Sequence, residues 1–327
     1  MKQLIENFPK QLEEAIRIGK SIRLPFSGKE LQQVLVSGLG GSGIGASIVH
    51  EYIFDKLTIP FTVNKDYFIP KSVNKHTLFI ACSYSGNTEE TMQAVELAQK
   101  AGAHIVCITS GGALAEFARK HKRVLIEIPS GMPPRSCLGY SLVQILFELK
   151  KSGLLKTNVE AEIESGIQRI HSEKKSIQKL AKQTAEKLAG KIVAIYSIAG
   201  REGLAIRFRQ QLNENSKILC WHNVIPEMTH NEIVGWRTPQ DNIAVLFCYH
   251  ADDFPKNIKR LQVLKKVVKK YNPHCHELVI KGDNFWEKAF YFIHLTDWVS
   301  VYLADINQQD SMEVKVIDIL KKEMAKK

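Results

Sequence analysis

Short apolar runs that end in a glycine or hydroxyl turn and lead into a helix recur along this chain, in two series. The first series has strand-like runs at 33–37, 77–82, 104–109 and 124–128. Each is short and rich in Val and Ile, the pattern of a strand buried on both faces. Segments of helical period at about 44–54, 91–101, 113–121 and 136–151 alternate with them. The second series has runs at 192–197, 243–248 and 277–280, alternating with helical segments at 203–212, 255–270 and 285–305. Strands that alternate with helices pair in parallel, because each crossover returns the chain to the same edge direction. Two series therefore imply an α/β chain with two doubly wound parallel-sheet domains in tandem, over 30–153 and 191–327. The charged stretch 154–190 reads as a connecting helical segment, and residues 1–29 as an N-terminal helical arm.

The 327 residues suffice for two domains of ordinary size. No apolar run reaches the roughly 18 residues of a membrane helix. The polar start, residues 1–9, lacks the apolar stretch of a secretory signal. A cytoplasmic protein with no membrane partner is expected. Cys82, Cys107, Cys220 and Cys248 lie in or beside strand-like runs without metal spacing, so they read as small core residues. The net charge of +11 raises the question of nucleic acid. However, the lysines of 256–270 interleave with Ile258, Leu261, Leu264, Val267 and Val268, which makes a helix with a solvated basic face. With no zinc-finger spacing, aromatic RNA-binding signature or basic arm, no nucleic-acid partner is expected. A basic surface does draw in small anions.

The turn Ser83-Tyr-Ser-Gly-Asn-Thr88 joins a strand to a helix, where free backbone N–H groups and the positive end of a helix dipole point. Hydroxyls rather than a lysine suit a phosphate that is held, not transferred. The plainer alternative is that Asn87 or Thr88 only caps the helix, supported by Glu90 or Thr91. Gly38-x-Gly40-x-x-Gly43 matches a dinucleotide fingerprint, but only a loosely placed Asp66 stands where a ribose-binding acid belongs. Gly40-Gly41-Ser42 serves equally well as a second backbone approach to a phosphate or sugar, or as a tight turn with close helix packing.

Gly40-Gly41-Ser42 followed by Ser83-Tyr-Ser-Gly-Asn-Thr88 resembles the sugar isomerase (SIS) domain, a flavodoxin-like fold, doubled here over about 30–327. Together with Pro134-Arg135, Gln211-Leu-Asn-Glu-Asn-Ser-Lys217, Pro226-Glu-Met-Thr-His-Asn-Glu232 and Ile319-Leu-Lys321, the chain resembles the bifunctional phosphoglucose/phosphomannose isomerases. That resemblance implies hexose 6-phosphate substrates, no cofactor and no metal. It implies that Gly41, Ser42, Ser83, Ser85 and Thr88 bind the substrate, with Arg135 beside the intermediate. It implies Glu214 as the base and His230 and Lys321 at ring opening. It further implies a homodimer in which His230 reaches the partner's site.

Aldose–ketose isomerisation needs a carboxylate to carry a proton between C2 and C1, a fixed cation for the enediolate oxygen, and an acid–base pair to open the ring. Glu214 sits between two Asn at the end of a helix, where it is otherwise an ordinary surface acid. Arg135 stands at the start of a helix, a place unfavourable to a cation unless an anion is present. His230 lies in a polar loop, and His222 is its competitor. Lys321 shares a basic tail with Lys322, and the residues alone leave the two equivalent. His274 and His276 share one face of a strand, a pairing of interest for zinc only with further ligands. The family's Pro-Thr-Pro-Val-Glu-like stretch is replaced by Gln309-Asp-Ser-Met-Glu313, which bears on the handling of mannose 6-phosphate. An SIS-type phosphosugar-binding regulator, an amino-sugar phosphate isomerase and a dinucleotide-dependent enzyme are the rival readings.

Overall fold

The computed structural model describes residues 1–324. The strands are β1 (Gln33–Ser37), β2 (Phe61–Asn64), β3 (Thr77–Cys82), β4 (His104–Thr109), β5 (Val124–Glu127), β6 (Ile192–Ile198), β7 (Cys220–Ile225), β8 (Ile243–Tyr249) and β9 (Cys275–Val279). The α-helices are α1 (Lys2–Glu6), α2 (Phe8–Ser21), α3 (Gly40–Ile53), α4 (Glu89–Lys100), α5 (Gly112–Lys120), α6 (Leu138–Lys151), α7 (Val159–Leu188), α8 (Glu202–Ser216), α9 (Pro255–Tyr271), α10 (Phe285–Ile306) and α11 (Lys315–Met324).

Two compact units result. One holds residues 6–172 and 282–290, the other, among the described residues, 1–5, 173–281 and 291–324. The first unit carries a parallel sheet in the order β2-β1-β3-β4-β5. β3 is buried at every position and β1 at four of five, which explains their unbroken apolar runs. α2 packs on α6, burying Phe8, Leu12, Ala15 and Ile16, so the N-terminal helix is part of this unit's core. Leu35, Phe79, Ile105, Cys107, Val95 and Leu114 form the core between the sheet and α4 and α5.

The second unit carries a parallel sheet in the order β7-β6-β8-β9. Tyr196, Ile225, Met228, Trp236, Phe247, Leu261 and Leu264 form a core on one face of it. Both sheets are the expected doubly wound α/β type. In each, the strand order reverses beside the first strand. The crevice beyond the strand ends at that reversal is where ligands bind in such folds. It lies between β1 and β3 in the first sheet and between β6 and β8 in the second.

Candidate functional site

The reversal of the first sheet brings together the turn after β1 and the turn after β3. Gly38 and Gly43 set the first turn. A Cβ on Gly38 would stand 2.8 Å from the Cys82 carbonyl oxygen, and one on Gly43 2.1 Å from the Gly38 oxygen. These two glycines of the dinucleotide-like motif thus serve strand–helix packing. Asp66 turns back to accept from its neighbour's amide, Tyr67 N–H, at 2.6 Å. α3 begins at Gly40, four residues earlier than its apolar period suggests. A Cβ on Gly41 would stand 2.8 Å from the Pro134 oxygen and 3.2 Å from the Arg135 Cα, so only glycine lets the 134–135 backbone lie against the start of α3. Arg135, 5% exposed, is brought there by a 3₁₀ turn at Pro134–Ser136.

The second turn is pinned from several sides. Ser83, 2% exposed, has its hydroxyl 2.8 Å from that of Thr88 and accepts from Gly86 N–H at 3.1 Å. Tyr84 N–H donates to the Ser42 hydroxyl at 3.0 Å, which ties the turns after β1 and β3 together. Gly86 has φ +70°, and a Cβ there would fall 1.8 Å from the Gly111 oxygen. Asn87 reaches away from its own helix and accepts from Ala113 N–H at the start of α5, at 3.1 Å. Thr88 occupies the N-cap position of α4 without a side-chain capping bond. The capping alternative therefore fails for both residues. The start of α4, with its free first-turn N–H groups, follows directly on the hydroxyls of Ser83, Ser85 and Thr88, a neutral donor set suited to an anion. Ser85 is exposed and Thr88 half-buried at this opening.

The reversal of the second sheet is closed from within. Arg201, following β6, pairs with Asp253, following β8, at 2.7 Å, and Asp253 is only 5% exposed. Asp253 also accepts from His250 N–H at 2.7 Å. A carboxylate of the chain itself thus takes the place an anionic ligand takes in an open crevice.

Glu214 lies near the C-terminal end of α8, half-buried. α8 runs four residues past its apolar period because a buried polar row holds it. Arg207 and Gln211 bond to Asp297 of α10 at 3.0 and 2.8 Å, and Asn215 donates to the Ser300 hydroxyl at 2.9 Å. Ser216 donates to the Ser300 carbonyl at 2.6 Å, and Asn213 to the Ile218 carbonyl at 2.7 Å. Lys217 adopts φ +55° and donates to the carbonyls of Glu214 and Glu313 at 2.9 and 2.8 Å. The motif around Glu214 is thus a frame for that end of the helix.

His230 ends a 3₁₀ turn, Glu227–His230, and is exposed. His222 points from β7 toward Glu202, with Nε2 3.5 Å from its carboxylate. Burial and the nearby Arg209 guanidinium hold its pKa below the ordinary value. It is a packed, neutral imidazole, which leaves His230 as the solvent-facing one of the two. Lys321 lies in the last turn of α11, a helix with no buried residue, beside the equally exposed Lys322. His274 Nε2 stands 3.0 Å from Lys191 Nζ. Among the described residues no group of three His, Cys, Asp or Glu gathers as a metal site.

The structure therefore groups Gly41, Ser42, Ser83, Ser85, Thr88 and Arg135 in one unit. It carries Glu214, His230 and Lys321 on three elements of the other. Asn87, Asp253 and Asp297 were not among the candidates. Their distant partners, Ala113, Arg201, Arg207 and Gln211, lie 26 to 90 residues away, so no local signal marks them.

Two flavodoxin-like parallel sheets, one with a hydroxyl-lined turn at its reversal, define a protein of the SIS class. The SIS domain family matches residues 29–143, and the family described as the bacterial phospho-glucose isomerase C-terminal SIS domain matches 177–324. The bifunctional phosphoglucose/phosphomannose isomerase of Caldicellulosiruptor bescii is 38% identical over 99% of both chains. That of Aquifex aeolicus is 32% identical over 99% of this chain and 98% of its own. Among solved structures, the C-terminal domain of glucosamine-fructose-6-phosphate aminotransferase from Francisella tularensis shares the fold. Its TM-score is 0.77 at 15% identity, over 96% of this chain and 98% of that one. The chain belongs to the bifunctional phosphoglucose/phosphomannose isomerase family.

Proposed function

We propose that the chain is an aldose–ketose isomerase interconverting glucose 6-phosphate, and also mannose 6-phosphate, with fructose 6-phosphate, using no cofactor and no metal. The observation that carries this is the hydroxyl-bearing turn 83–88, tied to Ser42 at the sheet reversal, in a chain of this family. Ser83, Ser85 and Thr88 hold the phosphate, with Gly41 and Ser42 as the second approach. Neutral donors and helix N–H groups bind a dianion without committing a buried cation to it.

In this reading His230 and Lys321 serve ring opening. One gives a proton to the ring oxygen while the other takes the proton of the anomeric hydroxyl. Glu214 then removes the proton from C2 of the open aldose, leaving a cis-enediolate; the O2 proton passes to O1, and Glu214 returns its proton to C1 to give the ketose. Arg135 stabilises the enediolate oxygen, whose charge develops in the transition state. A homodimer in which His230 serves the partner's site belongs to this reading. So does a cytoplasmic location, in keeping with six cysteines that are all unbridged.

One coupled assay with glucose 6-phosphate, mannose 6-phosphate and glucosamine 6-phosphate tests it. Turnover of the first two to fructose 6-phosphate is expected. Turnover of glucosamine 6-phosphate alone makes the chain an amino-sugar phosphate isomerase. Binding of all three without turnover makes it a phosphosugar sensor. Either result overturns the proposal.

A further inference from the structure

His230 is exposed, and its own 3₁₀ turn is held by few contacts, chiefly Thr229 N–H to the Pro226 carbonyl at 3.0 Å. Two residues on, Glu232 is anchored far more firmly. Its carboxylate accepts from the Tyr196 hydroxyl, from the Trp221 indole N–H at 2.7 Å and from the Asn223 amide at 2.6 Å. All three donors stand on β6 and β7 of the second sheet. The Tyr196 hydroxyl in turn accepts from Trp236 N–H at 2.9 Å, and burial, first, with Glu232 beside it, pushes the phenol's pKa well up, so it stays a donor. From Glu232 the ties run back across His230. Asn231 accepts from Glu232 N–H and donates to Glu227 Oε1 at 2.8 Å. Met228 and Trp236, both buried, peg the two ends of the segment into the core.

The apolar pegs fix where the segment lies but leave its rotation free. A carboxylate receiving three donors from two neighbouring strands fixes direction as well. We infer that Glu232 is a positioning residue for His230: its carboxylate clamps the 226–237 segment to β6 and β7 and so sets where the imidazole points. This rests on the reading of His230 as a ring-opening group.

A double-mutant cycle tests it in the full chain, with turnover of glucose 6-phosphate as the readout. Glu232→Gln puts an amide N–H₂ where donors already converge, so the clamp loses at least one bond. The expected loss is about 10- to 100-fold in kcat, the scale of an ångström-sized misplacement, with KM moved less than about threefold. In a His230→Asn background the same change is expected to cost less than about twofold, since its effect passes through His230. Trp221→Phe, which removes one donor and keeps the ring, is expected to show a smaller loss with the same disappearance. It decides the matter if Glu232→Gln does not fold. Equal losses in both backgrounds, or no loss at all, overturn the clamp while leaving the role of His230 standing. A His230→Asn variant with full turnover overturns that role, and the inference falls with it.

Discussion

Glu148 is fully buried in α6, and neither carboxylate oxygen has a hydrogen-bond partner among the described residues. Burial pushes its pKa from the ordinary value near 4.5 to about 8, against a small downward pull from Lys151. The ammonium of Lys151 is itself lowered by burial and donates to the carbonyls of Lys20 and Ile22, so it does not neutralise the acid. Below about pH 4.5 the carboxyl is protonated in folded and unfolded chains alike and has no effect on the balance. Between about 4.5 and 8 the unfolded chain has lost the proton and the folded chain keeps it, so stability falls as pH rises. Above about 8 the full penalty is in place. The gap of about 3.5 on the pH scale, at about 1.4 kcal/mol for each whole step, amounts to about 5 kcal/mol. Glu148→Gln removes the ionisation while keeping the shape. Its stability relative to the wild type is expected to rise by several kcal/mol from pH 5 to 8.5. Urea unfolding at a series of pH values measures this, with Trp286 reporting on the unit that contains α6. A difference between the two proteins that stays flat to within about 1 kcal/mol over that range refutes the reasoning, because it means water reaches the folded carboxylate.

Glu214→Gln is expected to lower turnover by about 10²- to 10⁴-fold while phosphosugar binding, followed by calorimetry, stays nearly unchanged. Substantial activity in that variant removes Glu214 as the base. Gly86→Ala forces a Cβ into the Gly111 carbonyl at a left-handed position. A loss of about 3 kcal/mol in stability and a KM raised at least about tenfold are expected from melts and kinetics. Asp253→Ser leaves Arg201 half-buried and unpaired, at a cost of about 3 kcal/mol. Sulfate at a hundredfold over its dissociation constant is expected to restore about 2–3 kcal/mol, and a melting temperature indifferent to sulfate counts against a plugged crevice. Exhaustive chelation is expected to leave turnover unchanged, and activity lost and then restored by zinc excludes the metal-free mechanism.

The central strands were legible because burial on both faces demands unbroken apolar runs, as in Thr77–Cys82. Two of the four edge strands, β2 and β7, were not. β2 and β7 each pair on one side only, so Phe61-Thr-Val-Asn64 and Cys220-Trp-His-Asn-Val-Ile225 carry polar residues among the apolar ones. The end of α8 was hidden for another reason. Asn, Asn and Ser are weak helix formers, and the buried bonds of Asn215 and Ser216 to Ser300 override that preference. At the site, the 83–88 turn was legible because its hydroxyls are local to a strand–helix junction. The long-range ties of the second unit were not, since Glu232 meets Tyr196 36 positions away and Arg201 meets Asp253 across 52.

The same fold occurs twice, and its two sheet reversals differ in a way that fits a division of labour. At β6/β8 a permanent carboxylate is matched by a guanidinium and a backbone N–H, a full ion pair suited to something that never leaves. At β1/β3 the 83–88 turn offers hydroxyls and helix N–H groups. An isomerase's product carries the same phosphate as its substrate, so tight binding of that group slows release without aiding chemistry. Neutral donors hold a phosphate firmly enough to orient the sugar and loosely enough to let it go. In the proposed reading the β1/β3 crevice is the one that takes the phosphate of the substrate. In the same reading Glu214, near the end of α8, and His230, in the 3₁₀ turn after β7, are what the second unit supplies.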